Sequence, residues 1–439
     1  MKKYLSILLV GWAFLLGGCS FNMATPESLI TAPLSTQEQV QQRQMITSFL
    51  DNEEVLITPA NQQLSRAYLF EDLDNDGKDE IVAFYRSKES KFVLGFMILR
   101  QAAGEWNLQH KVVAYGTDID YFEVTDLDSQ PGNELLFGVK TGYGSSKELN
   151  VYQMYNEQII EVTKDKPLDY EQILLAEMSK EKPLLIAATM DISSLVGSST
   201  IELYTMQEDT LQITDQKVFS GYCNALRYGR VSEKEYGLMA AMRHNHFTNI
   251  LILTNEENKL QLKTEYPLMY DEADMQKINI FEDTNADGVL EVCSMWTPEE
   301  NNTAKNYQDY LRVWLQWDGD KELQKVNAVL ENSTEGYRFV LDVDWLEQLY
   351  YRFNLIDNII WTEFYLFDDD GKQQEVFAIA AVDQLSWEKE VEQDQVIILG
   401  NSPSKNKIYL AKINSQQAEI LNIDQSKLIS CLKIDGGKS

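Results

Sequence analysis

An acidic segment from Asp72 to Glu80, DLDNDGKDE, has oxygen-bearing side chains at relative positions 1, 3, 5 and 9 and a glycine at position 6. Oxygen ligands at this spacing suit a hard cation such as Ca²⁺, and the glycine allows the sharp turn that such a loop needs. The candidate ligands are four side chains and one backbone carbonyl, those of Asp72, Asp74, Asp76 and Glu80 and that of Lys78. Three Asp and one Glu offer the most formal charge of any such segment here, so we expect this loop to bind calcium most tightly.

Two weaker copies of the segment follow. DLDSQPGNE, residues 126–134, has a glutamine at position 5, and DTNADGVLE, residues 283–291, has an asparagine at position 3. The candidate ligands are Asp126, Asp128 and Glu134 in the second acidic loop and Asp283, Asn285, Asp287 and Glu291 in the third. An EF-hand would need a glutamate at position 12, where the three loops have Ala83, Phe137 and Ser294. Each loop also runs into strand-like sequence instead of a helix, so we exclude the EF-hand.

The spacing of the acidic loops indicates a sequence repeat. Their first residues are 54 and then 157 positions apart, which fits a period of about 52 residues, within the range of propeller repeats. Two further copies are expected between the second and third acidic loops. Patterns of a strand, a polar turn and a strand, without the acids, occur there at residues 173–190 and 228–242. A second hairpin pattern follows each of the five units. The sequence therefore predicts a mainly β fold, a β-propeller of about five four-stranded blades.

The strand-flanked loops resemble the FG-GAP or VCBS repeats of integrin-type propellers and of many bacterial surface proteins. The resemblance covers Gln62 to Leu330 and is strongest at Asp72. It implies calcium held between the first two strands of a blade, but no particular ligand, because this repeat serves many functions. The family's usual aspartate at position 9 is glutamate in all three loops here.

Turn chemistry offers an alternative to calcium. Asp, Asn and Gly are ordinary turn residues, so any one of the acidic loops could be a hairpin tip without metal. A later DDDG, Asp368 to Gly371, lies between two strand-like runs and fits a plain hairpin turn.

The N-terminus resembles a bacterial lipobox. Two lysines precede an apolar run over residues 4–16, and the sequence LGGC ends at Cys19. The resemblance implies cleavage before Cys19 and attachment of a diacylglycerol to its sulfur. An ordinary signal peptide with an incidental cysteine is the alternative. We expect a lipoprotein on the extracytoplasmic face of the cell membrane, attached to the membrane through its N-terminal lipid.

The chain divides into four predicted parts. Residues 1–18 are the signal peptide, 19–61 a tether and N-terminal helix, 62–330 the propeller and 331–439 a small α+β domain. The first helix is expected within Thr36 to Leu50, from the helical spacing of Val40, Met45, Ile46 and Phe49. A second helix is expected near the C-terminus, at Asp424 to Leu432.

The charge balance limits the possible partners. The formal net charge is −31, and it becomes −33 when Lys2 and Lys3 are removed with the signal peptide. Such a surface repels nucleic acid and anionic lipid, and no basic patch with interleaved aromatic residues offsets it. We therefore expect no nucleic-acid partner.

Catalytic signatures are scarce. His244 and His246 form an HxH at strand spacing and could supply two zinc ligands, but a third ligand is not evident. The sequence contains no GxSxG, HExxH, CxxC or phosphate-binding glycine loop. We therefore expect a non-catalytic scaffold that binds a cell-envelope protein or glycan. The alternative is a secreted glycan-acting hydrolase or lyase with carboxylates at the propeller channel.

Overall fold

The computed structural model describes residues 37–434, apart from 60–63, 65, 129, 143–145, 156–157, 165, 178–181, 194–196, 208–209, 245–246, 269–279, 297–310, 333–334, 386 and 388–395. The predicted signal peptide, the lipidation site Cys19, the tether up to residue 36 and His246 lie outside the described residues.

The described chain is mainly β, as the sequence predicted, and its strands form six antiparallel sheets. The first sheet contains β1 (Glu54–Leu56), β2 (Tyr68–Glu71), β3 (Glu80–Ser87), β4 (Val93–Ala102) and β5 (Glu105–Tyr115). The second contains β6 (Asp118–Thr125), β7 (Glu134–Lys140), β8 (Lys147–Tyr155), β9 (Gln158–Glu161) and β10 (Leu168–Tyr170). The third contains β11 (Gln172–Ala176), β12 (Leu184–Asp191), β13 (Ser198–Gln207) and β14 (Thr210–Ser220).

The remaining sheets follow in chain order. The fourth contains β15 (Tyr222–Arg230), β16 (Tyr236–Arg243), β17 (Thr248–Glu256) and β18 (Lys259–Leu268). The fifth contains β19 (Phe281–Glu282), β20 (Glu291–Trp296), β21 (Leu311–Trp317), β22 (Leu323–Asn332), β23 (Tyr337–Leu341) and β29 (Leu432–Ile434). The sixth contains β24 (Tyr350–Ile356), β25 (Ile359–Phe367), β26 (Gln373–Asp383), β27 (Ile397–Ser402) and β28 (Lys407–Ile413).

The first five sheets cover the residues for which five repeat units were predicted, and they also include β1, β23 and β29 from outside that range. The third and fourth sheets are simple meanders, in which each strand pairs with the next. In the first sheet β3 pairs with both β1 and β2, and in the second β8 pairs with both β9 and β10. The repeat units thus correspond to sheets. Their closure into a propeller stays a prediction.

Burial of both faces explains the apolar strand sequences. In β7, Leu135 and Phe137 pack against the first sheet, whereas Leu136 packs against the third. In β12, Leu185 packs against the second sheet and Ile186 against the fourth. A strand covered on both faces needs apolar side chains at successive positions, not at alternate ones. The sheets therefore pack face to face in the order of the chain.

Four helical segments complete the described structure: α1 (Gln37–Thr47), a 3-10 helix (Val343–Glu347), α2 (Ser415–Ile420) and α3 (Gln425–Cys431). The predicted first helix is α1, in which Ile46 is fully buried against the outer face of the first sheet. Val40, predicted to share its apolar face, is 42% exposed instead. The predicted C-terminal helix is confirmed as α3, where the Asp424 side chain accepts a hydrogen bond from the Lys427 N–H.

The predicted domain boundary between Leu330 and Glu331 falls inside a strand. β22 pairs with β23, and β23 pairs in turn with β29 near the C-terminus. Leu330, Phe339 and Phe377 belong to one buried cluster that joins the fourth, fifth and sixth sheets. The region predicted as a separate α+β domain is therefore continuous with the fifth sheet, because hydrogen bonds and core packing both cross the boundary.

Within the described residues, no helix has the length and apolar character needed to span a bilayer.

Phe339→Ala should destabilise more than the C-terminal region. Phe339 is fully buried in β23, so its truncation is expected to cost about 3–5 kcal/mol. Because β23 pairs with β22, which pairs with β21, amide-exchange protection measured by mass spectrometry should fall across Leu311–Trp317 as well. The control is Arg338→Ala, an exposed neighbour on the same strand. Loss of protection confined to residues 337–434 would instead show an independent C-terminal domain.

Candidate metal centres

The first and third acidic loops share one backbone conformation. The carboxylate at position 1 accepts two N–H bonds: Asp72 from Asp76 and Gly77 at 3.1 and 2.9 Å, and Asp283 from Asp287 and Gly288 at 3.2 and 2.9 Å. Both glycines have a φ of +82°, in the left-handed region that favours glycine. The sequence motif therefore encodes a tight acidic turn in both loops.

The acids of the second loop also accept backbone N–H groups, but in a turn of different geometry. Here the Asp126 carboxylate accepts the N–H of Asp128 at 3.1 Å, and the Asp128 carboxylate accepts the N–H of Gln130 at 2.7 Å. The left-handed glycine is Gly132, at position 7 of this loop. The glutamine at position 5 and the shifted glycine thus change the turn without removing the acids.

The glutamate at position 9 is the most buried acid of each loop. Glu80, Glu134 and Glu291 are 2%, 0% and 0% exposed, and each is the first residue of a strand. Each carboxylate accepts the backbone N–H of position 2 of its own loop, at 3.0, 2.6 and 2.6 Å. A glutamate at position 9 therefore has the reach to close the loop.

Carboxylates converge in each loop. Oxygen atoms of three acids lie within 4.8 Å of one another in Asp72, Asp74 and Glu80, in Asp126, Asp128 and Glu134, and in Asp283, Asp287 and Glu291. Ligands on opposite sides of one Ca²⁺ are about 5 Å apart, since each Ca–O distance is about 2.3–2.6 Å. The spacing of the acids therefore suits calcium in all three loops.

Asp76 and Asn285, two other predicted ligands, have hydrogen-bond partners in their own loops. Asp76 lies outside the first converging group, and its carboxylate accepts the Lys78 N–H at 2.9 Å. The Lys78 ammonium lies 3.4 Å from the same carboxylate. In the third loop, the Asn285 side-chain oxygen accepts the Asp287 N–H at 2.9 Å.

Burial perturbs the position-9 acids. Burial raises the pKa of the Glu134 carboxyl to about 7, and the nearby Asp128 and Asp126 add to this effect. Burial likewise raises the pKa of Glu80 and of Glu291. The Oε1 atoms of Glu134 and Glu291 are buried and have no hydrogen-bond partner in the described part of the chain. A buried ionised oxygen without a partner is costly, so the second and third loops fit a bound cation.

The sequence did not reveal one further residue at each site, which lies on the neighbouring strand opposite the glutamate. Gln153 pairs with Glu134 and Gln316 with Glu291, and Arg100 follows Leu99, the partner of Ile81, in the first sheet. Each of these side chains contacts the acids of its loop. Only the strand register identifies this position, because the hairpins that separate it from the glutamate differ in length.

The acidic loops also join neighbouring sheets. Asn133 of the second loop donates its backbone N–H to the Leu73 carbonyl at 2.9 Å and its side-chain N–H to the Asp72 carbonyl at 2.8 Å. Leu290 of the third loop donates its N–H to the Arg230 carbonyl in the fourth sheet at 2.8 Å. A loop that is held in one conformation therefore also maintains hydrogen bonds between neighbouring sheets.

The other motifs from the sequence form no comparable site among the described residues. His244 stacks on Phe247 with a centroid distance of 4.4 Å. The DDDG segment is the turn between β25 and β26, as predicted, and Asp368 there accepts the N–H groups of Asp370 and Lys372.

A cavity of about 670 Å³ lies between the first strands of the second, third and fourth sheets. Asp120 in its wall forms an ion pair with Lys147 at 3.0 Å and accepts a hydrogen bond from the Tyr170 hydroxyl at 3.0 Å. Burial, together with the Glu71 carboxylate, raises the pKa of Glu123 in the same wall. An ion-paired aspartate does not by itself supply the acid and base of glycoside hydrolysis. The hydrolase or lyase alternative stays a prediction from the sequence.

Comparison with known proteins gives little further guidance. No protein-family profile and no curated protein matches the chain. A crystal structure of a protein from Lactobacillus plantarum is similar at 9% identity, over 65% of this chain and 84% of that one, with a TM-score of 0.27. A crystal structure of Saccharomyces cerevisiae Sqt1 is similar at 9% identity, over 83% of this chain and 100% of that one, with a TM-score of 0.33. At these TM-scores neither similarity carries a conclusion about fold or function.

Proposed function

We propose that this chain is a lipid-anchored, extracytoplasmic binding or scaffold protein whose FG-GAP-like loops are stabilised by calcium. The observation that carries the proposal is the buried glutamate of the second and third loops. Glu134 and Glu291 each leave one oxygen without a hydrogen-bond partner among the described residues, and two further acids of the same loop have oxygens within 4.8 Å. Calcium prefers such all-oxygen sites, and when bound it supplies the positive charge that the loop lacks.

Calcium at these loops would act on the packing between sheets. In the metal-free protein, repulsion between the clustered carboxylates works against the tight turn. The second loop contacts the first through Asn133, and the third contacts the fourth sheet through Leu290. A cation that holds the loops closed therefore stabilises the contacts between sheets as well as the loops.

A binding function agrees with the surface charge. A formal net charge of −31 favours neutral or basic partners and disfavours nucleic acid. We propose a cell-envelope protein or glycan as the partner, because the lipobox-like sequence at Cys19 would hold the chain at the extracytoplasmic face of the membrane.

Removal of calcium should lower the melting temperature of the purified chain. A cation that binds only the folded state stabilises it by about 2.7 kcal/mol at a concentration a hundredfold above its Kd. We expect the double variant Asp126→Asn with Asp283→Asn to lose most of the difference between melting in calcium and in chelator, measured by scanning calorimetry. Asparagine can still accept hydrogen bonds in the turn but removes one ligand charge from each loop.

The matched control is the double variant Asp318→Asn with Asp368→Asn. Both aspartates lie in exposed turns and accept backbone N–H groups, so the control removes the same charge without touching a converging group. Its response to chelator should equal that of the wild type. An unchanged response in the loop variant, or no calcium response in the wild type at millimolar calcium, would falsify the calcium role.

Cys19→Ala should release the protein from the membrane. If Cys19 carries the diacylglycerol, its loss removes the covalent lipid that we propose as the anchor. The measurement is fractionation of cells that express the wild type or the variant, together with metabolic labelling by a fatty acid. Membrane retention of an unlabelled variant would contradict the lipid anchor.

A further inference from the structure

We infer that Arg100 is the resident cation of the first acidic loop and that it excludes calcium from the loop whose sequence fits calcium best. The inference rests on the proposed function, because it assigns calcium to the second and third loops. It reverses the order of affinities expected from the number of acidic ligands.

The Arg100 guanidinium lies among the acids of the first loop. Its Nη2 atom is 2.9 Å from Asp74 Oδ2 and 2.9 Å from Asp76 Oδ2, and its Nε atom is 3.7 Å from Glu80 Oε1. Arg100, Asp74 and Asp76 are each less than one third exposed. One nitrogen thus bridges two carboxylates and the same side chain approaches a third, as a bound cation would.

The other two loops have a neutral side chain at the corresponding position. Gln153 donates one hydrogen bond to Asp128 at 3.1 Å, and Gln316 donates one to Asp287 at 2.8 Å. An amide donor brings no net charge, so Gln153 and Gln316 do not neutralise the acids of their loops. In the part of the chain that the structure describes, one glutamate oxygen in each of these two loops lacks a hydrogen-bond partner, whereas Glu80 Oε1 faces Arg100.

Arg100 is a strong competitor of calcium because it belongs to the same chain as the loop. Its guanidinium is charged at all physiological pH values and is held at the loop by its own strand, so its effective concentration there is high at any calcium level. Calcium would have to displace charge-assisted hydrogen bonds to both Asp74 and Asp76. The first loop is therefore closed with or without calcium, whereas the second and third depend on it.

Calorimetric titration of the purified, chelator-treated full chain with calcium tests the inference. We expect about two ions per wild-type chain, about three per Arg100→Gln chain and about one per Gln153→Arg chain. Arg100→Lys should remain at about two, because it keeps the positive charge. The matched control is Arg86→Gln, an arginine of the same sheet that interacts with Thr117 and Asp118, and it should also remain at about two.

Melting in excess chelator gives an independent readout. Arg100→Gln should melt below the wild type there, because the acids of the first loop lose the cation that bridges Asp74 and Asp76. Added calcium should restore more of its stability than in Arg86→Gln. About three ions in the wild type, or an unchanged number in Arg100→Gln, would overturn the inference. If the wild type binds no calcium while Arg100→Gln binds about one ion, calcium binding by the second and third loops fails but the role of Arg100 stands. If neither binds calcium, both proposals fail.

Discussion

Glu80, Glu134 and Glu291 each bury a carboxylate at the first residue of a strand, and each uses it to accept the N–H of position 2 in its own loop. Transfer of a charged group from water is expensive unless a hydrogen bond or an opposite charge compensates for it. One N–H group satisfies one of the two carboxylate oxygens. The second oxygen needs another partner. That partner is either a side chain across the sheet from the glutamate or a bound cation, and the choice between them distinguishes the three loops.

The packing of the sheets places the glutamate in this environment. Because the inner sheets are covered on both faces, a residue that begins a central strand is buried even when it belongs to a turn. Glutamate at this position therefore cannot turn its carboxylate to water as a hairpin acid such as Asp368 does. The acidic loops differ from ordinary turns in the burial of position 9, although their sequences are those of ordinary turns.

The parts of this structure that the sequence predicted are local, and the parts it missed depend on distant pairing. The strand, turn and strand units and the helix after Asp424 follow from apolar patterning and capping within a few residues. The predicted boundary at Leu330 lies inside β22. The sequence could not reveal this, because a polar turn has the same composition whether it joins two strands of one sheet or two domains. Val40 is exposed although its helical spacing was suitable, because α1 has only one face against the first sheet and that face is centred on Ile46.

The position opposite the glutamate shows why the best sequence match need not be the best site. The first loop has the most acidic residues, but a concentrated negative charge is also the strongest attractor for a basic side chain within reach. Arg100 reaches it only because the register of β3 and β4 places Leu99 opposite Ile81. Removal of Arg100 would leave the clustered acids of the first loop without the charge that compensates them. Strong acidic loops in a sheet protein therefore need either an internal cation or an external one. A loop with a neutral residue such as Gln153 opposite its glutamate must take its cation from solution. Only in such a loop does the number of acidic residues in the sequence indicate the affinity for metal.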